Sequence, residues 1–272
     1  MIEIRKKNDL PADRQEKLEI AISAAVAAGN ILLERSDDLL RKQHSKESLR
    51  DTATEIDLYA EKKIIEILKD TKYPILAEES GVIGKINNSK KDKYWVVDPL
   101  DGTVNYINHI PFYAVSIAFI EDGFPSVGVV YNPLLNELFY GAKGFGVYKN
   151  NKKIITKDKN PEESLFTAAF SGKKYNSDRK KEYISFGVIN DNSMGCLRTG
   201  SAAMNLAYVA EGKFGGAFGK LNKIWDVAAG ILLAKEAGAE VCYKMVDEKE
   251  NLVNYITSTP SSMDFIKKHT GI

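Results

Sequence analysis

Trp95-Val96-Val97 runs directly into Asp98-Pro99-Leu100-Asp101-Gly102-Thr103. Two carboxylates three positions apart, on a turn stiffened by Pro99 and freed by Gly102, repel each other and are costly to hold ionised. A divalent cation removes that cost. The Gly102-Thr103 step offers backbone N–H groups to an anion such as phosphate. Read alone, Asp-x-x-Asp-Gly is also a common turn. Three further acids fit the same picture. Glu78 closes Pro74-Ile75-Leu76-Ala77 as Asp98 closes Trp95-Val96-Val97. Two strands that end in acids set those acids side by side if the strands are neighbours. Asp226 follows Ile224-Trp225 and opens an alanine-rich helix, and Asp57 stands at the start of another. Both positions also suit an acid that simply favours a helix dipole. Oxygen donors without His or Cys suit Mg²⁺ or Mn²⁺, not zinc. A carboxylate cage beside a phosphate-accepting turn suits metal-assisted phosphoryl hydrolysis.

The elements that must position these residues follow from periodicity. Leu18, Ile22, Ala25, Gly29 and Leu32 predict a helix from Pro11 to about Arg35. Residues 36–50 are polar without a clear period and read as a mobile loop. Ile56, Ala60, Ile64 and Leu68 predict a second helix over 54–69, with Asp57 one step round from its apolar face. Tyr73 to Ala77 and the Trp95 stretch read as strands, separated by a surface loop. From Phe112 to Ile155, short apolar runs joined by tight turns such as Asp122-Gly123 and Asn150-Asn151 predict an antiparallel sheet. The charged run Lys157 to Glu163 is the expected boundary. Beyond it strands at Leu165–Phe170, Phe214–Phe218, Val241–Tyr243 and Tyr255–Thr257 alternate with helices over 201–211, 225–237 and after Pro260. The expected architecture is an α+β half followed by an α/β half.

Composition excludes several classes. In 272 residues, 38 Lys plus Arg offset 37 Asp plus Glu. No global basic field draws the chain to nucleic acid or an anionic membrane. The N-terminus lacks the apolar block of a signal peptide, and the run from Ala21 to Leu33 is too short and too broken to span a bilayer. A cytoplasmic protein is expected. Cys196 and Cys242 lack metal or redox spacing and read as reduced thiols. His44, His109 and His269 have no histidine partner at ligand spacing. There is no Gly-x-Ser-x-Gly elbow. Gly219-Lys220 is followed by Leu221 where a phosphate-binding P-loop needs Ser or Thr.

Asp98-Pro99-Leu100-Asp101-Gly102-Thr103-Val104-Asn105-Tyr106 resembles the first signature of the inositol monophosphatase family, and Trp225-Asp226-Val227-Ala228-Ala229-Gly230 resembles its second. Glu78-Glu79-Ser80-Gly81, Gly200-Ser201-Ala202-Ala203 and Val209-Ala210-Glu211-Gly212 extend the likeness in order and spacing, from about residue 15 to about 259. The resemblance implies a layered αβαβα sandwich, Mg²⁺ dependence, lithium sensitivity and a homodimer. It implies that residues 1–156 carry most metal ligands and that 157–272 add Asp226 and substrate-recognition residues. By motif, Glu78, Asp98 and the Leu100 carbonyl look like ligands of a first Mg²⁺, and Asp98, Asp101 and Asp226 like ligands of a second. Glu78 also resembles a residue that faces a third, weaker site through water, and Mn²⁺ is an expected substitute. Asp57 with Thr103 resembles the pair that orients the attacking water. The Gly102 and Thr103 amides resemble the phosphate cradle, and Asp101, Gly200, Ser201, Ala202, Gly219 and Asp226 fall at substrate-side positions. Lys46 falls where the family often has a lysine.

The implied activity is Mg²⁺-dependent hydrolysis of a small phosphorylated alcohol, inositol 1-phosphate or a related sugar phosphate, by attack of activated water. The alcohol side departs from the pattern. Inositol-specific members have an acid seven positions before the Trp-Asp aspartate, and this chain has Gly219. The Asn222-Lys223-Ile224-Trp225-Asp226 run resembles the branch acting on 3′(2′),5′-bisphosphate nucleotides, with Lys220 and Lys223 as candidates for a second phosphate. Sugar bisphosphates such as fructose 1,6-bisphosphate are a third candidate substrate class. A catalytically silent metal- or phosphate-binding regulator is the alternative of a different class. On this reading, introducing Glu at position 219 favours inositol 1-phosphate.

Overall fold

A computed structural model describes residues 10–42, 49–87, 89, 91–171 and 179–272. Two helices come first, α1 (Ala12–Lys42) and α2 (Leu49–Leu68). Leu18, Ala21, Ala25, Ala28 and Leu32 bury one face of α1, and Ile56, Ala60, Ile64 and Leu68 one face of α2. The expected loop from residue 36 is corrected: α1 continues to Lys42 and α2 begins at Leu49. A polar stretch still propagates as helix once the preceding turns are formed. Lys46 lies outside the described residues.

The next segment builds one sheet from β1 (Ile75–Ala77), β2 (Gly81–Ile83), β3 (Tyr94–Asp101), β4 (Ala114–Glu121), β5 (Phe124–Asn132), β6 (Glu137–Ala142), β7 (Gly146–Lys149) and β8 (Lys152–Ile154). Its order is β2-β1-β3-β4-β5-β6-β7-β8. β1 and β3 run parallel, while each other neighbouring pair is antiparallel. A one-turn helix, α3 (Thr103–Ile107), interrupts the chain between β3 and β4.

The second sheet takes β9 (Leu165–Ala169), β10 (Gly195–Leu197), β11 (Gly216–Lys223), β12 (Glu240–Asp247) and β13 (Leu252–Ser258), in the order β10-β9-β11-β13-β12. Its helices are α4 (Lys180–Asp191), α5 (Ala202–Ala210), α6 (Ile224–Glu236) and α7 (Pro260–Thr270). β11 outruns the expected Phe214–Phe218 strand. A register shift between Gly219 and Asn222, with Leu221 at φ +51°, hides its alternation from the sequence.

Strand alternation sorts the layers. Trp95, Val97, Val115, Ile117 and Phe119 face α1 and α2. Val96, Ala118 and Ile120 face α5 and α6, which the second sheet covers from the other side. Phe166, Phe218 and Ile256 then meet Ile189 of α4 and Met263 and Ile266 of α7. The result is an αβαβα sandwich, as expected. Both cysteines are free thiols. Among the described residues, no helix is long and apolar enough to cross a membrane.

Candidate active site

The parallel pairing of β1 with β3 does the first piece of positioning. Its register sets Ile75 beside Trp95, Leu76 beside Val96 and Ala77 beside Val97. Both strands therefore reach their carboxylates together, and the Glu78 amide donates to Val97 O at 3.2 Å. The Glu78 and Asp98 carboxyl groups lie close enough to perturb each other. Burial raises Glu78, Asp98 beside it lowers it and the acids Glu79 and Asp101 raise it again, leaving it at about 7. Asp98 is 1 % exposed. Burial, then Glu78, Asp101 and Asp226, push its pKa well above the ordinary carboxylate range. One oxygen of Asp98 also accepts from the Leu100 amide at 2.9 Å, which closes the turn.

Asp101 is held differently. The N-terminus of α5 meets its Oδ2: Ser201 Oγ donates at 2.5 Å and the Ala203 amide at 2.7 Å. Burial raises Asp101 and these donors lower it, leaving about 6. Gly200, Ser201 and Ala202, expected on the substrate side, thus stand at or next to the seat of Asp101. Gly102 adopts φ +96°, a conformation that favours glycine, and lets the chain turn from β3 into α3. Thr103 Oγ1 donates to Leu100 O at 3.2 Å, not to Asp57. Asp57 projects from α2, 3 % exposed, and its Oδ1 has no hydrogen-bond partner. Burial, then Glu78, Glu79 and Glu61, push it up to about 9. Asp226 sits in the first turn of α6, where burial and the charges of Asp101 and Glu78 raise it. The Trp225 indole N–H faces Glu78 and lowers its pKa, yet falls short of a full hydrogen bond.

This donor set fits a hard divalent cation. Glu78, Asp98, Asp101 and Asp226 bring only carboxylate oxygens, and their mutual repulsion is the tension a cation relieves. Among the described residues, no three acidic, His or Cys side chains form a ready-made ligand cluster. The acids are instead tied to each other and to α5. Cation binding would therefore compete with the protons these raised carboxyls hold.

The region before Trp225 requires a correction. The side-chain direction of Gly219 is filled: a Cβ there meets Asn222 Oδ1 at 2.1 Å, Tyr255 Cε1 at 2.8 Å and Ala169 O at 3.0 Å. The Gly219–Asn222 bulge folds Asn222 back into the space an acid at 219 would need. Introducing Glu there is thus not a simple restoration of a hydroxyl acceptor. Of the two lysines, Lys223 is committed elsewhere. Lys223 Nζ donates to Glu250 O at 2.5 Å, pairs with the Glu250 carboxylate at 3.6 Å and lies 5.1 Å from the Trp225 ring centre. Lys220 Nζ lies 4.0 Å from the Cβ position of Gly271, beside the end of α7.

Sequence reasoning passed over Glu61. This residue is 1 % exposed and accepts from the Glu79 amide at 2.8 Å, the Ser80 amide at 2.9 Å and Ser80 Oγ at 2.5 Å. The available signal was Asp57-x-x-x-Glu61, two acids on one helix face.

A cluster of buried acids between the N-termini of α5 and α6 and the ends of β1 and β3, in an αβαβα sandwich, describes a phosphatase framework of the sugar-phosphatase type. The comparisons agree: the model of the inositol monophosphatase family matches residues 13–260. The chain belongs to that family. It is 38% identical over 231 residues to the Nus factor SuhB of Xylella fastidiosa, covering 83% of this chain and 81% of that one. It is 34% identical to the fructose-1,6-bisphosphatase/inositol-1-monophosphatase of Aquifex aeolicus, covering 92% and 93%. The solved inositol monophosphatase of Anabaena superposes with a TM-score of 0.82 at 31% identity, covering 95% of this chain and 96% of that one.

Proposed function

We propose that this chain is a Mg²⁺-dependent phosphomonoesterase that hydrolyses a small phosphorylated alcohol, inositol 1-phosphate or a related sugar phosphate. The observation that carries the reading is the β1–β3 register, which brings Glu78 onto Asp98 beside Asp101 and Asp226. Glu78, Asp98, Asp101, Asp226 and the Leu100 carbonyl hold Mg²⁺, two ions or three, with Mn²⁺ as a substitute. Bound Mg²⁺ supplies Lewis acidity and lowers the pKa of water. The protein's own part is placement. Asp57, with an unpartnered Oδ1, accepts a hydrogen bond from the Thr103 hydroxyl once that hydroxyl turns from Leu100 O, and the pair aligns the attacking water. The amides of Gly102 and Thr103 hold the phosphate.

Phosphate release from inositol 1-phosphate, fructose 1,6-bisphosphate and adenosine 3′,5′-bisphosphate, compared by kcat/KM with and without Mg²⁺, tests this. The expected result is turnover that needs Mg²⁺ and vanishes in Asp98→Asn. The bisphosphate-nucleotide reading loses support from Lys223, which Glu250 engages. A silent wild type on every ester favours the regulator reading.

A second reading, a Nus-factor role, draws on the 38% identity to SuhB. It leaves a nucleic-acid-linked partner open despite the balanced charge. A phosphatase-dead Asp98→Asn that still restores growth to a strain lacking this chain supports it. The chain is also proposed to form a homodimer. Val104, Ile110, Leu134 and Leu135 are 44–70 % exposed, and Asn132 Nδ2 ties their turns together by donating to Pro111 O at 3.2 Å. Light scattering that reports a monomer contradicts this.

A further inference from the structure

We propose that Glu61 is a positioning residue that sets the carboxylate of Glu78 for the divalent cation, and does so without touching the ion. The inference rests on the phosphatase reading above and concerns how that site is held.

Glu78 opens a three-residue hairpin turn, Glu78-Glu79-Ser80, closed by the pairing of Ala77 with Gly81. Gly81 at φ +71° suits the left-handed position of such a loop. The Glu79 and Ser80 amides of this exposed turn point back toward α2, where a fixed acceptor holds them against competing water. Glu61 supplies it. Its Oε2 takes the Glu79 amide, and its Oε1 takes both the amide and the hydroxyl of Ser80. Three charge-assisted bonds fix the turn in distance and direction. Both oxygens are thereby committed to the loop, which makes Glu61 a poor ligand and a good anchor.

The anchor also carries information across the site. Glu61 lies four residues after Asp57 on α2, so one helix face presents both. α2 therefore ties the Asp57 side chain to the turn that carries Glu78. The separation between the group that handles the attacking water's neighbour and the group that meets the cation is set by a single rigid element. Outer-shell partners of this kind change metal affinity about 10–100-fold when removed.

The test uses the full chain and Mn²⁺ as the spectroscopic probe. Glu61→Gln turns an NH₂ group toward donors that need an acceptor. Ser80→Ala removes one bond and no charge, so it separates positioning from simple loss of negative charge. Mn²⁺ affinity is read by electron paramagnetic resonance, and the Mg²⁺ needed for half-maximal phosphate release is read in parallel. The expected result is a tighter cation site weakened about 10–100-fold in Glu61→Gln, and about tenfold in Ser80→Ala. Saturating Mg²⁺ restores kcat, and KM for the ester is unchanged. If Glu61→Gln does not fold, Ser80→Ala carries the test. Folded variants with wild-type Mn²⁺ and Mg²⁺ affinity overturn the proposal, even where their melting temperature falls. Wild-type protein that binds Mn²⁺ but releases no phosphate overturns the phosphatase reading alone. Wild-type protein that binds no Mn²⁺ overturns both.

Discussion

Replacing Gly219 with alanine adds a methyl where Asn222 Oδ1 stands 2.1 Å away, Tyr255 Cε1 2.8 Å and Ala169 O 3.0 Å. The three neighbours yield unequally. Asn222 is the tip of a side chain and can swing aside. Tyr255 is fully buried, and Ala169 belongs to β9, which pairs with β11 along this very stretch. Overpacking of this kind costs about 2 kcal/mol, within the range of roughly 1–3. For a domain this large that lowers Tm by about 4–8 °C. Gly219→Glu should cost at least as much, because its carboxylate must also find a place beside Tyr255, whose own hydroxyl lacks a partner. The assay is a thermal melt of both variants, with kcat/KM for inositol 1-phosphate and adenosine 3′,5′-bisphosphate on the folded fraction. Asn222→Gly in the Gly219→Ala background removes the nearest clash and should recover part of the loss. A Gly219→Glu protein that melts like wild type and turns toward inositol 1-phosphate refutes the packing argument.

Other expectations follow from the same geometry. Without cation, burial and acidic neighbours hold Glu78 at about 7 and Asp57 at about 9, so the folded state binds protons more tightly than the unfolded chain. The corresponding stability is full below the ordinary carboxylate pKa of about 4 and is lost as pH rises through 7 and 9. Melts in chelator should therefore show Tm falling from pH 5 to 9, and Mg²⁺ should flatten the fall; a chelated protein with constant Tm contradicts the clustering. Lys149 Nζ bridges Glu137 at 2.6 Å and Glu211 at 2.7 Å between β7, β6 and the end of α5. Lys149→Ala should cost about 2 kcal/mol in a urea titration, between the values of exposed and buried pairs. Ser201→Ala removes a donor to Asp101 and the cap that accepts from the Met204 amide at 3.3 Å. It should cost about 1 kcal/mol and raise the Mg²⁺ needed for activity, and an unchanged Mg²⁺ requirement would sink that link.

Much of this site was legible because strand ends are legible. Apolar runs that stop at Glu78 and Asp98 mark where the sheet meets water, and the β1–β3 register makes them neighbours. Glu61 was hidden for the opposite reason. A glutamate inside a charged helix looks like solvated surface, and its partners are backbone amides about 18 residues away, which no residue pattern announces. The bulge at Gly219–Asn222 misled in its own way. Sequence spacing treats position 219 as an empty acceptor slot, whereas the register shift fills that slot with Asn222. α4 escaped notice because Ile189 and the partly buried Phe186 are the apolar anchors it packs on α7 and β10. The tail of α1 escaped because it has no apolar period at all.

The central claim is that Glu78, Asp98, Asp101 and Asp226 form a cation site whose raised carboxyls hold protons until the ion arrives. Isothermal titration of Mg²⁺ at pH 7, in two buffers of different ionisation enthalpy, tests it most directly. Because burial holds Glu78 at about 7 and Asp98 well above the ordinary carboxylate range, binding should be saturable and should release protons to the buffer. Asp98→Asn should abolish the signal. A wild-type protein that takes up no Mg²⁺, or an Asp98→Asn variant with an unchanged isotherm, contradicts the account.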